Sequence, residues 1–207
     1  MPVQTILNDF RAEVGQCDNL IANAHQQDAN GNFVLPPIDR QQITVAAFLN
    51  MFIGWETFIE RTLYDFMTGE PTIGGAAPVK YVSPLDVTAA QKMIIAGMTY
   101  FDFGNHDRVV KIVRIYFENG YPYEPHLSGI NSDLADIRTM RNASAHISST
   151  TQKALEALAT AIFGQPQPGI TLSRLLTAVD PRSAAGNTVF VGYRDKLTVT
   201  AELIANG

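Results

Sequence analysis

The segment Arg141-Asn142-Ala143-Ser144-Ala145-His146 holds the side chains of this sequence best suited to chemistry. A histidine near its unperturbed pKa of about 6.5 moves protons at neutral pH. An arginine offers a permanent planar fork to phosphate oxygens. If the segment is one helix, Arg141 and His146 stand about 140° apart around its axis and do not share a face. Asn142 lies about 40° from His146 on the same geometry and can orient the ring. Arg138, one turn before Asn142, adds a second cation along that side. Ala143, Ser144 and Ala145 are small enough to let another backbone or a substrate strand approach. The plainer reading of an Arg and a His on one helix is a capping or salt-bridge pair.

The elements that must position these residues read as helices. Ile6, Phe10, Val14, Cys17, Leu20, Ile21 and Ala24 recur at three- and four-residue steps and predict an amphipathic helix from Ile6 to about Gln26. A second helix, with Asp39 as N-cap, runs to about Met67 and stops at Gly69. Its Phe48, Phe52, Trp55, Phe58 and Tyr64 have helical spacing and read as core or as a dimer seam. The Gly- and Pro-rich stretch 69–85 is an irregular connection. A third helix is expected from about Leu85 to Phe103, with Asp86 in its first turn, and a fourth from His106 to about Glu118. Residues 119–125 read as a turn-rich link, with His126 in a loop. The fifth helix, about Ser128 to His146, carries the segment of interest, and Ser148 or Ser149 caps a sixth that ends at Phe163-Gly164. Beyond the linker-like 165–169, a brief helix over Thr171–Ala178, an extended piece over Asn187–Tyr193 and a last helix over Leu197–Ala205 are expected. The fold class is therefore all-α: an antiparallel bundle over 1–164 with a C-terminal appendage over 165–207 packed on it.

Composition narrows the chemistry. Of 207 residues, 46% are hydrophobic and 17% charged, so a core can be buried and disorder is excluded. The formal net charge of −5 gives no global attraction for nucleic acid; an RNA site must be a local group of cations. Cys17 is the single cysteine, which excludes an internal disulfide and a cysteine-based zinc site and fits a reducing compartment. His106 reads as a helix-start residue, and neither it nor His126 has metal-ligand spacing around it. The N-terminus has no secretory pattern, and the apolar run near 46–55 is broken by Asn50 and Gly54, so a cytoplasmic chain with no membrane partner is expected. No phosphate-cradling Gly-Lys-Ser/Thr loop or Gly-x-Ser-x-Gly elbow is present.

The Arg-Asn-x3-His pattern of residues 141–146 resembles the signature of the HEPN superfamily, helical domains in which an Arg is followed after four to six residues by a His, usually with a polar residue directly after the Arg. The early long helix containing Trp55-Glu56-Thr57-Phe58-Ile59-Glu60 and the late position of the motif are similar to the branch found in prokaryotic defence and toxin systems. The resemblance spans residues 41–163 most closely and implies a HEPN-type bundle. It also implies a metal-independent endoribonuclease without cofactor that works as a homodimer, with the two motifs meeting across the interface. RNA would be the substrate, with an antitoxin or regulatory protein as the restraining partner.

RNA supplies its own nucleophile, the 2′-hydroxyl, so such a site needs only proton transfer and charge stabilisation on phosphorus. Arg141 and His146 would be catalytic. Asn142 and Arg138 would support them, and Glu56 and Glu60 would orient Arg141 or tune His146 from the neighbouring helix unless they are simply a solvated face. A dimer also answers the angular problem, because Arg141 of one subunit could face His146 of the other. The alternative implied by the same resemblance is a noncatalytic module that binds RNA or a partner protein.

Overall fold

Capping chemistry decides where several helices begin and end in the computed structural model, which describes residues 2–145 and 148–207. The elements are α1 (Val3–Ala24), α2 (Pro37–Thr68), α3 (Val87–Ile95), α4 (His106–Tyr116), α5 (Tyr123–Gly129), α6 (Asn131–Ala145), α7 (Ser149–Phe163), α8 (Leu172–Thr177) and α9 (Val189–Asn206), with a 3-10 turn at Glu118–Gly120. Among the described residues extended backbone pairs only at isolated bridges, so the fold is all-α. Ser148 caps α7 in a reciprocal capping box with Thr151, and Gly164 closes that helix in the left-handed region at φ 71°.

Four expectations are corrected. Helix α2 already begins at Pro37, so Asp39 lies in its first turn and is not its N-cap. The third helix is short: α3 ends where Ala96 (φ 47°) and Gly97 (φ 84°) turn left-handed, and residues 98–105 are not α-helical. Asp86 is its N-cap, accepting from the Ala89 N–H at 2.7 Å. The expected link at 119–125 gives way to α5, whose Pro125 sits in the first turn, where a missing N–H costs nothing. His126 is therefore helical, and Tyr123 is wholly buried, with its hydroxyl donating to Thr62 Oγ1 at 2.9 Å. Finally, the β-branched run expected to extend through Tyr193 is the first turn of α9. Phe190, Tyr193, Leu197, Ala201 and Ile204 are all buried at helical spacing, and that burial overrides local β propensity.

By proximity the chain divides into two compact units, each discontinuous in sequence. The first comprises Met1–Arg11, Gly54–Leu134 and Lys196–Gly207. Residues 62–67 of α2 are all buried there, so that stretch of helix is enclosed on every side. Phe10 packs against Trp55 and Phe58 with ring centroids 6.1 and 5.6 Å apart. The 69–85 connection is tied down at two points along it. Lys80 Nζ donates to the Met67 carbonyl at 2.8 Å, and Ile73 N–H donates to the Ala205 carbonyl at 2.8 Å. The exposed pair Arg61–Asp9 (2.9 Å) contributes little by comparison.

The second unit comprises Ala12–Ile53 and Ala135–Asp195. Cys17 is buried in it, and burial pushes its thiol up to about 11, so it is protonated and unreactive at neutral pH. Thr44 Oγ1 donates to the Arg40 carbonyl (2.8 Å), so His25 Nε2, 3.0 Å away, must be the donor to that hydroxyl oxygen. The Arg40 guanidinium lies 3.6 Å over the Phe33 ring. Burial, and then the Arg40 charge, lowers the His25 pKa. The folded state thus disfavours a proton that the unfolded chain binds near pH 6.5. The stability contribution is complete above about pH 6.5 and is lost as pH falls through the lower folded value. Melting temperature should therefore fall between pH 7.5 and 5.5, and His25→Gln should flatten that slope. An unchanged slope in the variant would put the titration elsewhere, for instance at His126, whose pKa burial also lowers.

Of the described helices only α2 is long and apolar enough to cross a membrane by length and composition, and half of its most apolar window is buried inside the protein.

Candidate functional site

Helix α6 presents Arg138, Arg141 and Asn142, because Leu134, Ile137 and Met140 bury one side of it and leave these three half-buried beside that stripe. The Arg141 guanidinium sits 5.9 Å from the centroid of the Phe52 ring of α2, at the outer limit of a cation–π contact. Its Nη1 also points to Asn142 Oδ1 at 3.4 Å, a long and weak hydrogen bond. Ser144 Oγ donates to the Arg141 carbonyl at 2.6 Å and so satisfies a backbone acceptor near the helix end. Neither Arg138 nor Arg141 forms an ion pair among the described residues. Two cations close together on an acidic protein thus keep their donors available for an anion.

His146 lies outside the described residues, and α6 is described only to Ala145. Glu56 and Glu60 are half-buried on the part of α2 that belongs to the first unit. Glu60 accepts a hydrogen bond from Tyr64 Oη at 3.0 Å, one turn along its own helix. Burial, with Glu60 alongside, raises the Tyr64 hydroxyl pKa and keeps it protonated as the donor. The aromatic residues Phe48, Phe52, Trp55, Phe58 and Tyr64 are all buried within the single chain, so they are core.

A cavity of about 300 Å³ opens next to the motif, within the second unit. Ala143 and Ser144 of α6, Gln41 and Val45 of α2, Gln152 of α7 and Thr171 at the start of α8 contribute to its wall. The sequence shows that residues 143–145 are small but not which residues face them. The available signal was the spacing of Gln41, Val45, Phe48 and Phe52 at steps of four, three and four, which places a polar residue at one end of an otherwise apolar α2 stripe. Among the described residues no group of three or more His, Cys, Asp or Glu is gathered so as to hold a metal ion.

No protein-family profile matches the chain, and no curated protein or solved structure matches it. The site's chemistry therefore has to be argued from its own residues.

Proposed function

We propose that the chain is a HEPN-type helical domain acting as a metal-independent endoribonuclease on RNA, as a homodimer, with Arg141 and His146 as catalytic residues. The observation that carries the reading is Arg141 itself. It is a half-buried cation near the end of α6, with no ion pair among the described residues and with Asn142 beside it. Structural arginines in such positions ordinarily find a carboxylate, whereas a phosphate site needs the fork unspent.

In this mechanism His146 takes the proton of the RNA 2′-hydroxyl, whose oxygen attacks the adjacent phosphorus. The bond to the 5′-oxygen breaks, that leaving oxygen takes up a proton, and a 2′,3′-cyclic phosphate remains. Arg141, with Arg138 near it on α6, stabilises the negative charge that grows on the phosphoryl oxygens. Asn142 positions the motif side chains. Restraint by a partner protein, as for a toxin or defence effector, and a cytoplasmic setting belong to the same proposal.

The test is purified protein incubated with single-stranded and structured RNA in the presence of chelator. Cleavage that persists, leaves cyclic-phosphate ends and disappears in His146→Ala is the expected result. Binding of RNA without cleavage would replace this reading with that of a noncatalytic RNA-binding module.

A further inference from the structure

We infer that the cavity beside α6 is a nucleobase-binding pocket. Its volume of about 300 Å³ is at the lower end for small-molecule sites, enough for one ring system with attached groups. Among the described residues that line it, no side chain is charged. An anionic group placed inside would lose its hydration without compensation, whereas a flat neutral ring loses little. The wall suits such a ring: Val45, Leu155 and Leu172 supply apolar surface, and Gln41, Ser144 and Gln152 supply amide and hydroxyl groups for its edge.

The Gln152 amide is fixed in one orientation. Its Nε2 donates to Glu156 Oε1 at 3.0 Å and to the Ile170 carbonyl at 3.1 Å, which spends both hydrogens and leaves Oε1 as an acceptor. Glu156 also accepts from the Gly169 N–H at 2.8 Å, so the amide is braced against the loop that precedes α8. Gln41 is exposed and has no side-chain partner among the described residues, so both ends of its amide are available to a ligand.

The pocket's position gives it a role. Gln41, Val45, Phe48 and Phe52 form one stripe of α2, with the cavity at the 41–45 end and Arg141 over Phe52 at the other. On α6 the order is reversed, with Arg141 before Ala143 and Ser144. One seam thus runs from a cation to a pocket whose described wall is uncharged, over seven residues of helix, about 10 Å. That polarity matches a nucleotide, with its phosphate at the Arg141 end and its base in the cavity. The proposal rests on the ribonuclease reading for its consequence, a base preference at the nucleotide next to the cut.

The experiment titrates the full chain with each of the four ribonucleoside 5′-monophosphates and, as control, ribose 5-phosphate, followed by amide shifts or calorimetry. At least one monophosphate should bind about 10-fold or more tightly than the control. Val45→Phe, which fills the cavity, and Gln41→Leu, an exposed change that leaves the core intact, should each remove most of that difference. Equal binding of all five probes, or undiminished base selectivity in both folded variants, overturns the pocket. Selective binding by a protein that never cleaves RNA would sink the ribonuclease reading and keep the pocket. Cleavage with no base-selective binding, and with the same cut preference in Gln41→Leu, would do the reverse.

Discussion

Mixing Arg141→Ala protein with His146→Ala protein should restore RNA cleavage to about a quarter of the native rate, although each variant alone is nearly inactive. Loss of a proton-transfer group costs about 10²–10⁴-fold, and loss of a charge-stabilising donor about 10²–10³-fold. In a two-fold dimer with composite sites, each site takes Arg141 from one subunit and His146 from the other. A mixed dimer then has one site with both residues intact and one with neither. Random exchange makes half of the dimers mixed, and half of their sites work. If the two residues instead act within one subunit, no mixed dimer regains a complete site and the mixture stays inactive. Rate measurements on equimolar mixtures after subunit exchange separate the outcomes without any need for a structure of the complex. A mixture as inactive as its components would discard the composite site while leaving a single-subunit ribonuclease open to the chelator test.

Parts of the fold are legible in the sequence and parts are not. Helix ends with a local chemical cause are legible: the Ser148 cap, the Gly164 stop and the Thr171 start of α8 all follow from side chains that satisfy or terminate a turn. Helix interiors whose identity depends on distant packing are not. Val189, Phe190 and Val191 look extended until the buried spacing of Tyr193, Leu197 and Ala201 is seen behind them. Gly97 was visible in the sequence, but only Ala96 adopting a left-handed conformation ahead of it shows that the helix ends there. The candidate site divides in the same way. Arg138, Arg141 and Asn142 are legible as residue types on one helix. Phe52 beneath Arg141 and the cavity walled by α2, α7 and α8 are products of tertiary approach, which no spacing along α6 encodes.

Tyr193→Phe should lower the unfolding free energy by about 1.5–3 kcal/mol, the range for a hydrogen bond to a charged group, and Tyr193→Ala by about 3–5 kcal/mol, the range for truncating a large buried aromatic. Tyr193 is 1% exposed on α9, and its hydroxyl donates to Asp136 Oδ2 of α6 at 2.7 Å. Burial, and then the Asp136 carboxylate, raises the pKa of that hydroxyl, so the donor's proton stays in place throughout the neutral range. The Arg182 guanidinium lies 6.0 Å from the Tyr193 ring centroid and is itself clamped to Asp180, with Nε and Nη2 donating at 2.9 and 2.8 Å. The C-terminal stretch is thereby fastened to the helix that carries the motif, five residues before Arg141. Against a total stability of about 5–15 kcal/mol, the alanine variant should unfold at a clearly lower urea midpoint. Because Tyr193 acts by holding α6, cleavage by Tyr193→Phe should be native when measured well below its midpoint and should fail only as the protein unfolds. A native midpoint in Tyr193→Phe would show that the hydroxyl contributes nothing. Lost cleavage in a fully folded variant would place Tyr193 in the working site, not beneath it.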